Sequence, residues 1–206
     1  MDTATAADEH AMRIALDQAH NAWLAGEVPV GAVIMRAGQV IATGYNRPIT
    51  THDPTAHAEI VALRHASQLL QNYRLPDCEL FVTLEPCAMC AMALMHARFK
   101  RVVFAATDPK TGVAGSVIDL FGHAQLNHHT AIVGGVLAEA SSQLLKQFFA
   151  ERRAQIKAER DALKPVAQDT ALSGVGALAA EADPIPVGQA VELPLDPTAS
   201  DRWQAG

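Results

Sequence analysis

The chain carries little charge, yet it lacks the long hydrophobic run that a membrane protein needs. Charged residues make up 18% of the sequence, a low share for a soluble protein. The longest uncharged run without a strong breaker in its middle, CAMCAMALMHA at residues 87–97, is too short to cross a bilayer. Asp2, Asp8 and Glu9 stand where a secretory signal would place basic and then apolar residues. We therefore expect a cytoplasmic protein with no membrane partner.

Cysteines are also scarce, and their number argues against a disulfide framework. The chain has three, Cys78, Cys87 and Cys90. A small odd number in an apparently intracellular chain favours free thiols or metal ligands over disulfides. Cys78 precedes a strand-like run, and we expect it to be a half-buried residue without a chemical role.

An excess of basic residues is missing as well, since the net charge is −6. That value alone argues against nonspecific binding to nucleic acid. The acidic residues are unevenly placed, however, because six of them and a single basic residue follow Lys164. Residues 1–164 are therefore nearly neutral, with 15 basic and 16 acidic residues, and basic patches can form there.

The order of sequence patterns predicts a sheet covered by helices. Helical spacing predicts helices over 9–25, about 55–70 and 137–163, and a shorter helix that begins at Pro86. Residues 46–55 are expected to form a loop. Five strand-like runs are present, namely VPVGAVIM, QVIATGY, ELFVTL, RVVFAA and TAIVGGV. This order is typical of an α/β fold, with a mixed sheet and helices on both faces.

The stretch TLEPCAMC at residues 83–90 carries the first chemical signal. Cys87 and Cys90 follow a proline at an expected helix start, where thiolates are stabilised by free N–H groups and the helix dipole. A structural zinc site needs four protein ligands, and the chain has no second Cys pair. Three protein ligands plus water form the catalytic arrangement, and His57 is the favoured third ligand among nine histidines. Its helix also begins after a strand and a loop containing a proline.

Glu59 requires a separate geometric argument. Residues two apart on a helix point about 200° apart around its axis, so His57 and Glu59 do not share a face. They can meet only beyond the helix end, where His57 would bind a metal and Glu59 would reach its water. Each motif alone has an ordinary interpretation, as apolar packing for the cysteines and surface chemistry for His-x-Glu. Together they predict a metal site.

These motifs resemble those of the zinc nucleobase deaminases, which combine His-x-Glu with Pro-Cys-x-x-Cys. The stretches EVPVGAV, GYNRPI, HDPTAHAEI, TLEPCAMC, RVVFAATDPKTGVAGS and FFAERR extend the resemblance to bacterial tRNA-specific adenosine deaminases over about residues 10–160. That family implies a three-layer α/β/α cytidine-deaminase-like fold with a five-stranded mixed sheet and one Zn²⁺ per subunit. Residues 1–164 would form the deaminase domain with a basic C-terminal helix, and 165–206 an acidic tail rich in Ala, Pro and Gly, expected to be disordered.

The resemblance also implies an activity and a partner. The expected enzyme is a hydrolase that converts adenosine to inosine at the wobble position of a tRNA anticodon stem-loop. Water activated by zinc would attack C6 of the base, and Glu59 would shuttle the protons. A homodimer is implied, with the methionine-rich helix that follows Pro86 at its interface.

The family further implies a set of substrate contacts. Asn46 would hydrogen-bond the flipped nucleotide, and Val30 would pack on its base. The backbone around Ala58, Leu84 and Glu85 would line the pocket. The remaining expected RNA contacts are Asp108 and Lys110 near the ribose-phosphate, with Arg47, Pro48, His123, Phe149, Arg152 and Arg153 farther out. Without the family, Asn46 and Asp108 are ordinary turn residues, and the basic residues of the last helix are a solvated face.

Two alternatives remain open at this stage. Guanine deaminases share PTAHAE and the short Pro-Cys-x-x-Cys, so a free base is a rival substrate. A noncatalytic zinc-containing RNA-binding subunit is the other rival, although such proteins tend to lose the glutamate that Glu59 supplies here. Free-nucleoside cytidine deaminases usually carry Cys in place of His57, and riboflavin-pathway deaminases have wider cysteine spacing.

Overall fold

The structure, a computed structural model, describes residues 5–163. The tail expected over 165–206 lies outside the described residues. Within them, no helix is long and apolar enough to cross a membrane. The helices are α1 (Ala6–Leu24), α2 (Pro48–Thr51), α3 (Ala58–Leu70), α4 (Ala88–His96) and α5 (Ala138–Ala162). The strands are β1 (Gly31–Arg36), β2 (Gln39–Tyr45), β3 (Cys78–Leu84), β4 (Arg101–Ala106) and β5 (Ala131–Gly134).

The five strands form one mixed sheet in the order β2-β1-β3-β4-β5. β1 runs antiparallel to both β2 and β3, whereas β3, β4 and β5 are parallel. Leu84 pairs with Ala106, so the segments that leave β3 and β4 start side by side. Ligands of open α/β sheets lie beyond the carboxyl ends of the strands. A site is therefore expected at this edge of the sheet.

Helices cover both faces of the sheet, as predicted. Ala32 and Ile34 of β1 belong to a core cluster with Ala62 of α3, whereas Val33 belongs to a cluster with Met12 of α1. Alternate strand residues point to opposite faces, so α1 and α3 lie on opposite sides. The predicted three-layer α/β/α architecture is confirmed.

Several element boundaries differ from the sequence-based prediction. α1 begins three residues early because Thr5 and Asp8 form a capping box at its start. α3 and α4 begin at Ala58 and Ala88, later than expected, since the residue before each has extended backbone. The predicted loop 46–55 contains the short helix α2, which is too short to leave a periodic pattern. Cys78 is 1% exposed rather than half-buried.

A buried ionic cluster holds α1 to the sheet at the edge opposite the strand ends described above. The Arg101 guanidinium donates to both carboxylate oxygens of Asp8, at 2.6 and 3.2 Å, and to Glu79 Oε2 at 2.6 Å. Asp8 is 1% exposed, so its charge depends on this pairing. Burial raises the pKa of Asp8, but its hydrogen bonds to Arg101 and Thr5 outweigh burial and leave the pKa below its ordinary value.

Candidate metal centre and active site

Three side chains converge where α3 and α4 begin. His57 Nδ1 lies 3.7 Å from Cys87 Sγ and 3.6 Å from Cys90 Sγ. The three donor atoms all lie within 4.8 Å of one another. His57 and Cys87 are the residues that cap α3 and α4, and both have extended backbone. The predicted ligand set is thus brought together, although His57 lies just outside its helix rather than in the first turn.

The spacing of these atoms fits a tetrahedral zinc ion. Zinc bonds of about 2.3 Å to sulfur and 2.0–2.1 Å to nitrogen, at a tetrahedral angle, separate sulfur from nitrogen by about 3.6 Å. Both measured S–N distances agree with that value. The set of one imidazole and two thiolates suits zinc and leaves a fourth position for water. Among residues 5–163, these are the three that form a metal-binding cluster.

The local electrostatics favour deprotonated sulfur at the helix start. The hydrogen bonds with Cys90 and His57 together outweigh burial and lower the pKa of the Cys87 thiol to about 4. The hydrogen bond with Cys87 and burial raise the pKa of Cys90. The hydrogen bond with Cys87 raises the pKa of His57. One thiolate is therefore present without a metal, and a dication would stabilise the second.

Glu59 lies beside this cluster in a dry environment. It is the second residue of α3 and is 4% exposed. Burial raises its pKa, and the negative charge at Cys87 acts in the same direction. The Glu59 carboxyl group is in turn one cause of the raised pKa of Cys90. A carboxyl with a raised pKa next to a metal site can accept and return protons near neutral pH.

Asn46 determines where α3 begins. Its Oδ1 accepts a hydrogen bond of 2.9 Å from the N–H of Ala58, the first helical residue. Its own N–H donates to the carbonyl of Val30 at 3.0 Å. The Val30 side chain is 5% exposed and belongs to the core cluster beneath α3. Asn46 therefore positions His57 and Glu59, and its role toward a nucleotide stays a prediction.

The segment 107–116 lies against the turn that carries Cys87. The N–H of Val113 donates to the carbonyl of Pro86 at 3.0 Å, and Gly112 forms an isolated antiparallel β-bridge with Cys87. Asp108 shapes this segment, because its carboxylate accepts from the N–H of Lys110 at 2.9 Å and from the hydroxyl of Thr111. Burial raises the pKa of Asp108, but these hydrogen bonds outweigh it, and the net shift is downward.

Glu85 also uses its side chain within the fold. Its carboxylate accepts hydrogen bonds from Asp108, Ala114 and Ser116, and the residue is 3% exposed. These hydrogen bonds lower its pKa by more than burial raises it. Leu84 ends β3 directly before it and is half-buried.

Some of the predicted RNA contacts line one surface groove of about 520 Å³, which we call the α5 groove. Lys110, Phe149 and Arg153 are among them, and Lys146 is a lining residue that the sequence-based prediction missed. Phe149 is 43% exposed, whereas Phe148 is 9% exposed and packs on Trp23 with ring centroids 5.6 Å apart. Phe148 therefore belongs to the core, and Phe149 faces outward. The other lining residues of the groove are Pro109 and Leu145.

The other predicted contacts are dispersed. Arg152 lines a separate, smaller cavity beside Trp23 and Phe148 rather than the α5 groove. Arg47 is exposed at the start of α2, with its guanidinium 5.7 Å from the Tyr45 ring centroid, and Pro48 follows as the first residue of that helix. His123 is exposed in the connection between β4 and β5. Nothing in the geometry groups these residues with Lys110.

Helical spacing could have identified Lys146 as a lining residue of the α5 groove. Lys146 lies three residues before Phe149 and seven before Arg153, so all three share a face of α5. No local sequence pattern indicates the hydrogen bonds that the Glu85 side chain makes. Its hydrogen-bond partners are 23 to 31 positions away in the sequence.

Comparisons with known proteins agree with this site. The family model for the zinc-binding region of cytidine and deoxycytidylate deaminases matches residues 5–106. The tRNA-specific adenosine deaminase of Haemophilus influenzae is 50% identical over 158 residues, or 76% of this chain and 91% of that protein.

Two solved structures share the architecture. One comes from a study of A-to-I editing by tRNA:A34 deaminases at the wobble position of transfer RNA. It is 41% identical with a TM-score of 0.64, covering 66% of this chain and 99% of the other. The guanine deaminase of Nitrosomonas europaea has a TM-score of 0.63 at 25% identity, covering 73% and 87%. The shared fold does not separate the two activities, whereas sequence identity favours the first. The predicted resemblance is confirmed, and the chain belongs to the tRNA-specific adenosine deaminase family of zinc-dependent deaminases.

Proposed function

We propose that this protein hydrolyses adenosine to inosine at the wobble position of a tRNA anticodon, with release of ammonia. The observation that carries the proposal is the direct contact between the metal cluster and a segment that leads to a basic groove. Segment 107–116 hydrogen-bonds the turn bearing Cys87 and supplies Lys110 to the α5 groove. A reactive centre beside a cationic groove with an exposed aromatic ring suits a nucleotide within an RNA strand.

His57, Cys87 and Cys90 hold the zinc ion in this proposal. When bound, zinc lowers the pKa of water to about 7. Glu59 accepts the proton that the water loses as oxygen adds to C6 of the base. It donates this proton to N1, then accepts the remaining proton of the added oxygen and passes it to the amine, which leaves as ammonia while C6=O forms. One buried carboxyl with a raised pKa can serve each of these transfers in turn.

An anticodon loop suits this site because its bases are already unpaired. A base must leave its stack to reach a buried metal, and the cost is lowest for single-stranded nucleotides. The proposal assigns contacts with the flipped base to Asn46 and to the backbone at Ala58 and Leu84. Asn46 accepts a hydrogen bond from the N–H of Ala58, and Val30 belongs to the core cluster that contains Ala58. Phe149 offers a ring for stacking, and Lys110, Lys146 and Arg153 offer charge for phosphates.

A free-base guanine deaminase is the second candidate, favoured by the nearly equal TM-score of 0.63. Incubation of the zinc-loaded protein with an anticodon stem-loop bearing wobble adenosine, and separately with guanine, distinguishes the two. We expect inosine in the RNA and no xanthine from guanine. Turnover of guanine without RNA deamination would replace the proposal with the second candidate.

The oligomeric state is part of the proposal. Ala91, Met95, Val113 and Phe121 form a buried cluster between α4 and the connection that follows β4, with Met92 packed against it. Val117 and Ile118 on that connection are 52% and 53% exposed. Apolar side chains exposed this way are typical of an interface. We propose a homodimer through this surface, which light scattering of the purified protein would test.

The proposal assigns the activity to residues 1–164 and the location to the cytoplasm, where the anticodon loops of the tRNA pool are accessible. The acidic composition of 165–206 would repel RNA if that stretch approached the groove. Truncation after Lys164 should therefore preserve deamination or tighten RNA binding. A truncated protein that folds but no longer deaminates the stem-loop would contradict this assignment.

A further inference from the structure

The carboxylate of Glu85 accepts hydrogen bonds from four donors, all in the segment that follows β4. Oε1 accepts from the N–H of Ala114 at 2.8 Å and of Ser116 at 3.2 Å. Oε2 accepts from the N–H of Asp108 at 2.9 Å and from the Ser116 hydroxyl. Hydrogen bonds to a charged acceptor are roughly twice as strong as neutral ones. A single side chain thereby holds both ends of the segment Asp108–Ser116.

Gly112 has no side chain, and this leaves room in the segment for the Glu85 carboxylate. A Cβ on Gly112 would lie 2.4 Å from Cδ and 2.5 Å from Oε2 of Glu85. The backbone of Gly112 also donates to the Asp108 carbonyl at 2.9 Å, so the glycine cannot retreat without opening the turn. Position 112 therefore requires glycine because the Glu85 carboxylate occupies the space that a side chain would fill.

Glu85 is itself firmly placed relative to the metal ligands. Its N–H donates to the Ala106 carbonyl at 2.8 Å, which continues the pairing of β3 with β4. Pro86 and Cys87 follow it directly in the chain. The carboxylate therefore connects the turn bearing a metal ligand to the segment bearing Lys110.

The partners of Glu85 exclude a role in proton transfer. Each of its two carboxylate oxygens accepts hydrogen bonds from two N–H or O–H donors of the fold. No ion pair within residues 5–163 involves this carboxylate. A side chain so engaged can position a segment and has no need to touch the substrate.

We propose that Glu85 is a positioning residue that fixes segment 108–116 at a set distance from the metal centre and thereby determines how firmly the RNA is held. The inference rests on the proposed function for the identity of the substrate. Glu59 and His57 belong to the start of α3, and Cys87 and Cys90 to the start of α4, so none of them is part of the segment. Loss of the Glu85 carboxylate should therefore raise KM for the stem-loop and leave kcat nearly unchanged.

The experiment compares Glu85→Gln with Glu79→Gln, which removes a carboxylate from the other end of β3. In Glu85→Gln an NH₂ group replaces one oxygen and faces two donors, so about half of the hydrogen bonds are lost. We expect wild-type zinc content, a KM about tenfold higher and a kcat within about threefold of wild type. Amide hydrogen exchange at Ala114 and Ser116 should be about tenfold faster without RNA. Glu79→Gln should change neither KM nor these exchange rates.

Gly112→Ala should loosen segment 108–116 by an independent route, because the added methyl group displaces the Glu85 carboxylate. It should raise KM in the same direction, and the double variant with Glu85→Gln should be less than additive. Unchanged KM and unchanged exchange in Glu85→Gln would overturn the proposal, as would a fall in kcat at constant KM. If Glu85→Gln does not fold, Ser116→Ala decides, because removal of one donor should accelerate exchange at Ala114 and raise KM more weakly.

Hydrogen exchange tests the positioning role of Glu85 independently of the proposed deaminase activity. A wild-type protein that does not deaminate the stem-loop contradicts the function, while the exchange rates still report whether Glu85 holds the segment. Normal wild-type deamination with unaltered exchange in Glu85→Gln contradicts the positioning role alone.

Discussion

Gly44 allows α3 to lie close to β2, and its substitution should disturb the metal centre from a distance. A Cβ at this position would lie 2.4 Å from the Ala58 carbonyl oxygen and 2.6 Å from the Ala62 nitrogen. Ordinary contacts between heavy atoms are about 3.5–4.0 Å, so α3 must move outward by roughly 1 Å in Gly44→Ala. His57 and Glu59 move with α3, whereas both cysteines lie at α4. The substitution should therefore separate His57 from its partner ligands.

Two measurements follow from that displacement. Overpacking should lower the free energy of unfolding by about 1–3 kcal/mol, measured by urea titration. A misplacement of 1 Å at a reactive centre can reduce the rate by about 100-fold, so kcat/KM for the stem-loop should fall by that order. Competition with a chelator should show weaker zinc binding, because the S–N distances no longer suit one ion.

Gly31→Ala is the matched control. Its Cβ would lie 2.1 Å from the Ala15 carbonyl oxygen, so it overpacks α1 on the other face of the sheet. It should lower stability by at least as much while zinc binding is retained. A folded Gly44→Ala protein with wild-type zinc affinity and wild-type kcat/KM would refute the reasoning, as would equal loss of zinc in both variants.

Two further predictions concern the ionic cluster and the groove. Asp8→Asn should lower the free energy of unfolding at pH 7 by about 2 kcal/mol, measured by urea titration, because Arg101 keeps only Glu79 as a charged partner. The pKa of Asp8 is lowered in the folded protein, so its contribution is complete above the unfolded value near 3.9 and is lost as the pH falls through the folded value. The difference between Asp8→Asn and wild type should accordingly shrink below about pH 4, and a difference that instead grows in acid would contradict this. Lys146→Ala should weaken stem-loop binding and reduce the salt slope by about 1, as measured by fluorescence anisotropy, whereas Lys100→Ala outside the groove should not. Equal effects of the two lysine variants would mean that the groove does not bind RNA.

The metal centre could be predicted from sequence because its signals are local. Cys87 and Cys90 follow a proline at a helix start, and His57 follows a loop in the same setting, so both helix ends were expected at one point. The prediction placed His57 inside the first turn, whereas extended backbone at His57 places it just before the helix. His57 still meets Cys87 and Cys90, because the residue that caps a helix also lies at the helix end.

The proposed RNA contacts were harder to predict because they depend on the orientation of side chains around a helix axis. Arg152 and Arg153 are neighbours in sequence, but successive helical residues point about 100° apart. Arg153 therefore lines the α5 groove, while Arg152 lines the cavity beside Trp23. A basic run identifies the helix and does not say which of its residues meet one ligand.

The side chain of Glu85 shows a second limit of prediction from sequence. Its stretch, TLEPCAMC, indicated a position near the metal. The partners of its carboxylate come from a connection with no periodic pattern, and only the parallel pairing of β3 with β4 brings that connection alongside. Contacts of this kind depend on strand order, which the sequence patterns left open.

The central claim is that Glu59 moves the protons at a zinc centre held by three other side chains. Its most direct test is Glu59→Ala, with zinc content and inosine formation measured on the same preparation. The account predicts one zinc per chain, as in wild type, and a fall in the rate of inosine formation of at least about 100-fold. Inosine formation at the wild-type rate by a zinc-loaded Glu59→Ala protein would contradict it.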